Sequence, residues 1–177
     1  MRTATIDDIK NELKHLSQKE VLSLTLRLAR FKKENKELLT YLLFESHDEQ
    51  GYQQLLKTDI SEQLAAIEPS PLSKARKSYR KVLRSINRQI KYIGSKAASV
   101  ELLLHYCLAM RNLQSPLHPT LETIVQQQLA KVEKWVPLIE DDLQFEFKRQ
   151  LEELRADTNA PKLFPKKLFR FRRSIIK

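Results

Sequence analysis

The chain has 177 residues, 32 of them Lys or Arg and 22 Asp or Glu, for a formal charge of +10. Its two glycines, Gly51 and Gly94, lie far apart, which excludes the closely spaced glycines of phosphate-cradling loops and the Asn-Gly or Asp-Gly turns of tight hairpins. No segment approaches the ~20 consecutive apolar residues of a membrane-spanning helix.

The N-terminal residues Asp7, Asp8 and Lys10 occupy the place of a leader's apolar core, so no secretory signal is expected. The single cysteine, Cys107, permits no internal disulfide, and a cytoplasmic setting is the default expectation.

In chain order, residues 5–46 read as two or three short helices. Ile6, Ile9, Leu13 and Leu16 recur at steps of three and four, the stripe of an amphipathic helix. Ser17 and Glu20 form an S-x-x-E capping box, in which hydroxyl and carboxylate each satisfy a free backbone N–H. The segment Val21–Leu28 alternates like a strand, but the capping box and flanking helix formers favour helix. Lys32–Asn35 reads as a turn, Glu37–Phe44 as a third helix, and Gly51 as a break. Tyr52–Ile67 is helical, with Leu55, Leu56, Ile60, Leu64 and Ile67 as its apolar face.

Glu68-Pro69-Ser70-Pro71 is the clearest punctuation, since two prolines remove donors and bias their predecessors away from helix. A long helix follows from Pro71 to about Ile93, stopping at Gly94. Its Leu72, Ala75, Tyr79, Val82, Leu83, Ile86, Ile90 and Ile93 make one narrow buried seam. The next helix begins at Ser95 or Ser99; its Val100–Met110 run, apolar nearly all round, reads as the central helix of a bundle. Thr120–Val136 is helical, Pro137 breaks it, and Leu138–Leu154 resumes, with Glu140, Asp141 and Asp142 early, as the helix dipole prefers. The expected architecture is all-α: an irregular helical bundle or short α-solenoid of about six to eight helices. Its parts are an N-terminal subdomain over 1–68, a bundle over 69–160 and a basic amphipathic tail over 161–177.

The charge is not spread evenly. Between Pro71 and Lys96 stand nine basic residues (Lys74, Arg76, Lys77, Arg80, Lys81, Arg84, Arg88, Lys91, Lys96) and no acid. Seven more (Lys162, Lys166, Lys167, Arg170, Arg172, Arg173, Lys177) lie between Pro161 and the end, again without an acid. The two segments together carry +16, leaving −6 for the remainder of a chain of net +10. Lys77–Lys81, Arg76–Arg80, Arg80–Arg84 and Arg84–Arg88 are like-charged neighbours on a helix, each costing about a few tenths of a kcal/mol. Two things could offset that cost. One is acid of the same chain packed nearby, such as Asp141, Asp142, Glu152 or Glu153. The other is a polyanion.

In the tail, Phe164, Leu168, Phe171 and Ile175 repeat at helical intervals beside a basic face. Such a helix could dock on the body of the protein, bind nucleic acid with aromatics stacking on bases, lie on an anionic membrane, or engage a partner protein.

Other constellations are weaker. Glu12 and His15 have E-x-x-H spacing, but no second copy exists for a di-iron site. His105 and Cys107, two apart on a helix, point to different sides, and Cys107 reads as a small core residue. Glu45, His47, Asp48 and Glu49 read as a solvated acidic turn, and Trp135 as a core anchor at a kink. No catalytic residue, metal or cofactor is nominated.

The stretch Ile9-Lys10-Asn11-Glu12-Leu13-Lys14-His15-Leu16-Ser17-Gln18-Lys19-Glu20-Val21 resembles the SAP DNA-binding motif, a short helix-turn-helix. It lacks the glycine-containing loop between the helices, so that function is not carried over. Over the first 45 residues or so the chain is similar to the opening of an uncharacterised bacterial family of small helical proteins. That resemblance implies a helical fold and a bacterial setting, and no activity.

The expected function is therefore non-catalytic binding of a polyanion, RNA or DNA, with weak sequence specificity. Lys74, Lys77, Arg80, Lys81, Arg84 and Arg88 would contact phosphates, joined by Arg170, Arg172 and Arg173, and Phe169 and Phe171 would stack on bases. The alternative is a scaffold whose apolar-basic tail holds an acidic protein or a second copy of the chain; an unrecognised enzyme comes third.

Overall fold

A computed structural model describes residues 3–113 and 117–156. The described residues are all-α: α1 (Ile6–Lys14), α2 (Gln18–Phe31), α3 (Lys33–Thr40), α4 (Glu49–Ala65), α5 (Leu72–Ile93), α6 (Lys96–Leu113), α7 (Pro119–Trp135) and α8 (Asp141–Ala156). They fall into two compact units, one within residues 1–49 and the other within 50–177. The Pro-rich punctuation at 68–71 is the turn between α4 and α5, inside the second unit.

In the first unit, local chemistry fixes the helices. The Ser17 hydroxyl accepts from the Glu20 amide at 3.4 Å, and the Glu20 carboxylate accepts from the Ser17 amide at 2.8 Å. The Ser17 hydroxyl, donating to the Glu20 carboxylate at 2.7 Å, and then the Ser17 amide hold that carboxyl below the usual carboxylate range. Thr5 and Asp8 make a second such box at the start of α1. Helix therefore prevails over the strand-like alternation of Val21–Leu28. Period-two leucines on a period-3.6 helix scatter around it, so Leu22, Leu24, Leu26 and Leu28 are all exposed. After α3 the backbone widens into a π-turn over Tyr41–Glu45, closed by the Ser46 amide donating to the Tyr41 carbonyl at 2.9 Å. Tyr41 is the unit's one buried hydrophobic among the described residues.

Gly51 does not break the chain. It lies inside the first turns of α4, and the interruption falls before it, at Ser46–Asp48. A single glycine costs a helix only about 1 kcal/mol, which neighbouring helix formers and burial of Gln53, Ile60 and Leu64 offset.

The second unit is built around α6, which packs on α5, α7 and α8. Val100, Leu102, Leu103, Leu104, Tyr106, Cys107 and Met110 are all buried, so the helix read as apolar all round is central. The Tyr106 hydroxyl donates to the Tyr79 carbonyl of α5 at 3.1 Å, satisfying the polar end of a fully enclosed ring. Burial pushes the Cys107 thiol up to about 12, leaving an inert, protonated core residue. Pro119 opens α7 at a position where its missing N–H costs nothing. At the other end Pro137 sits in a 3-10 turn, Val136–Leu138, and α8 starts three residues later than the sequence pattern suggests.

α4 is tied to α6 by polar contacts. His105 Nε2 lies 2.9 Å from both the Lys57 carbonyl and the Ser61 hydroxyl; since a carbonyl only accepts, Nε2 carries the proton. Lys57 also pairs with Glu101.

Two measurements test this framework. Gly94 ends α5 at φ +74° with nothing within 4 Å of an added Cβ, so Gly94→Ala should cost about 1 kcal/mol by conformation alone in a urea titration. Burial pushes the His105 imidazole down to about 4, against the opposing hydrogen bond to Lys57. The unfolded chain therefore binds more protons between that value and the ordinary histidine range. Stability from this group is complete above about pH 6.5 and falls by up to about 3 kcal/mol as pH drops to 4. His105→Gln should flatten that part of the pH–stability curve relative to wild type; an unchanged slope would refute the assignment.

Candidate polyanion interface

The seam of α5 consists of Ala75, Tyr79, Val82, Ile86 and Ile90, all buried. At 100° per residue, Lys77, Lys81, Arg84, Arg88 and Lys91 fall on the face opposite that seam. Burial of five apolar side chains thus forces the basic residues outward. Lys74, Lys77, Arg80, Lys81, Arg84 and Lys91 are exposed, while Arg76 and Arg88 are half-buried. From Lys74 to Arg84 the exposed strip is about 15 Å long.

The acids proposed from sequence as internal counter-charges do not serve that purpose. Glu153 lies 3.9 Å from Arg149 of its own helix, and Asp141 accepts from Gln144 at 2.9 Å. Asp142 and Glu152 are exposed on α8 and join no ion pair among the described residues. The ion pairs between elements lie elsewhere: Lys57–Glu101 between α4 and α6, Arg111–Glu122 at 2.8 Å between α6 and α7, and Arg155–Glu133 at 2.6 Å between α8 and α7. Among the described residues, Lys74, Lys77, Arg80, Lys81 and Arg84 take part in no ion pair. Among the described residues the five form an exposed positive strip on α5 without an ion-pair partner.

One further group of cations was not singled out by the sequence pattern. The Lys131 ammonium lies 4.4 Å from the centroid of the Trp135 ring, and the Lys96 ammonium lies 4.8 Å from it. Lys131 also donates to Asn87 Oδ1 of α5 at 2.8 Å. Burial, then the charges of Lys96 and Lys91, hold Lys131 below the usual lysine range. Trp135 is accordingly a half-buried residue bearing cations, more than the core anchor read from sequence. Lys131 and Trp135 are i,i+4 on one helix, a spacing that was open to reading; the approach of Lys96 depends on how α6 packs against α7.

A concavity between α4 and α5 is lined by Leu56, Ile60, Gln63, Ser85 and Gln89 and has room for about one water. No cluster of three or more metal-ligating side chains occurs among the described residues, and no described helix is long and apolar enough to cross a membrane. Phe169, Arg170, Phe171, Arg172 and Arg173, expected to add contacts and base stacking, lie outside the described residues. Compared with family models, curated proteins and solved structures, the chain finds no match in any of the three.

Proposed function

We propose that this is a non-catalytic binding protein whose α5 holds RNA or DNA by its phosphates. The observation that carries the reading is the exposed strip Lys74, Lys77, Arg80, Lys81 and Arg84, without an acidic partner among the described residues. Coulomb attraction to a phosphate backbone offsets the repulsion within such a strip, and release of condensed counterions drives association. A straight row of cations on one helix face meets phosphates and carries no base-reading geometry, so binding is weakly sequence-specific. The basic tail, through Arg170, Arg172 and Arg173, would add phosphate contacts, with Phe169 and Phe171 as stacking platforms.

In a gel-shift titration at low salt, the full chain should bind single-stranded RNA or DNA. With five phosphate contacts, log K should fall against log salt with a slope of about −3.5. Neutralising Lys77, Arg80, Lys81 and Arg84 to Gln should lower affinity at least about tenfold while leaving the helical circular dichroism intact. Absence of binding to either nucleic acid at low salt sinks the reading.

A second reading, self-association, is favoured by residues 1–49. That unit exposes Ile6 (79%), Phe31 (75%), Leu22, Leu28, Leu42, Leu43 and Phe44, and buries Tyr41 alone among its described hydrophobics. So much exposed apolar surface on so small a unit marks an interaction face. The unit holds nine Lys+Arg and nine Asp+Glu, so a second copy meets no net repulsion there. Light scattering should then give a mass above that of one chain, reduced to one chain by Leu28→Glu with Phe31→Glu; a monomeric wild type at high concentration excludes it.

A further inference from the structure

We infer that Lys96 and Lys131, both over the Trp135 ring, together with Lys91, one helical turn beyond the Asn87 that Lys131 contacts, form a binding site for a phosphate group. For its natural source of phosphate the inference rests on the polyanion reading above; for the site itself it does not.

Three features make the cluster more than a chance crowding of lysines. First, Lys131 is positioned. Asn87 Nδ2 donates to the Leu83 carbonyl at 2.8 Å, which leaves its Oδ1 aimed at the Lys131 ammonium. The Trp135 ring face takes up another side of that ammonium at 4.4 Å. An ammonium has three donors, and these contacts leave donor capacity for an incoming oxyanion. Second, the positive charges are assembled against their own repulsion. Lys96 is held on the same ring, and burial, then the charges of Lys96 and Lys91, hold Lys131 below the usual lysine range. A cation–π contact contributes about 0.5–1 kcal/mol at an exposed site and adds no negative charge, so it orients the ammoniums without neutralising them. Third, nearby acid is engaged elsewhere: Glu133, two residues from Lys131, forms both of its hydrogen bonds to Arg155.

A phosphate group answers all three features. It is a compact anion with several acceptor oxygens, able to take one donor from each of three lysines, and its negative charge offsets the cost of holding ammoniums close together. Lys96 is the first residue of α6, so the positive end of that helix dipole adds to the same field. A carboxylate offers fewer acceptors and less charge, and a neutral ligand leaves the repulsion in place.

The protein supplies its own reporter, because Trp135 is its single tryptophan. The full chain should be titrated separately with sodium tripolyphosphate and with a short single-stranded oligonucleotide while the tryptophan emission is followed. A saturable change with tripolyphosphate is expected, weakened about tenfold in Lys131→Gln and in Lys91→Gln, the latter at an exposed position where folding is not at issue. Arg80→Gln, on the open strip, should leave the tripolyphosphate curve unchanged and weaken the gel shift instead. A response to the oligonucleotide at lower concentration than to tripolyphosphate assigns the site to a nucleic-acid backbone; a response to tripolyphosphate alone assigns it to a small phosphorylated ligand, and the site stands even if the gel shift fails. The inference is overturned by a non-saturating response to both titrants, or by Lys91→Gln and Lys131→Gln curves that superimpose on wild type.

Discussion

Because Val100–Met110 is apolar on nearly every side, α6 is stable only when other helices surround it, and that requirement organises the second unit. α5, α7 and α8 each contribute one apolar stripe to the enclosure. A helix that gives one narrow stripe to a core must present the rest of its circumference to something else. For α5 that remainder is basic over nearly its whole length, so burying Ala75, Tyr79, Val82, Ile86 and Ile90 is the same event as displaying Lys77, Lys81 and Arg84. The candidate interface is thus a consequence of core packing.

Where the acids went decides how that display is interpreted. A solvated helix face usually intersperses both signs, which relieves repulsion at no structural expense. Here Glu101, Glu122 and Glu133 are committed to Lys57, Arg111 and Arg155 across helix contacts, and α5 contains no acid at all. The charge partition between the two units agrees. Residues 1–49 are balanced, so the whole net charge of +10 belongs to residues 50–177. One unit shows leucines and the other shows cations, two different kinds of surface on one chain.

Much of this was legible in the sequence, and the limits are physical. Every residue of the stripe read on α5 is buried or half-buried, since 3.6-residue periodicity is a direct imprint of a helix on a core. The ambiguous alternation at Val21–Leu28 was settled by a local device, the Ser17–Glu20 box. Gly51 misled because a breaker's effect is set by the sum over its neighbours, not by its own propensity. The π-turn at Tyr41–Glu45 has no short-range signature. In the candidate site, the exposure of Lys74–Arg84 followed from the stripe, whereas the lysine cluster at Trp135 did not. Lys131 stands outside the acid-free segment, and Lys96 reaches the ring only through tertiary packing.

The energetic scale bears on whether the strip is incidental. Four like-charged i,i+4 pairs cost about 1–2 kcal/mol together, against a typical domain stability of about 5–15 kcal/mol. Val82, Ile86 and Ile90, buried on the same helix, alone contribute about 1.5–3 kcal/mol each, so α5 folds without any ligand to neutralise it. The fold therefore tolerates the strip and gains nothing from it: Glu in place of Lys77 or Arg84 would relieve repulsion and leave the seam untouched. The same holds at Trp135, where a single acid beside Lys131 would offset the charges of Lys96 and Lys91. Both features become favourable when an anion is bound, since a ligand that binds only the folded state adds its binding free energy to stability. Two separate concentrations of positive charge, each unfavourable alone and each reversed by phosphate, give one physical account of where on this surface a polyanion would lie.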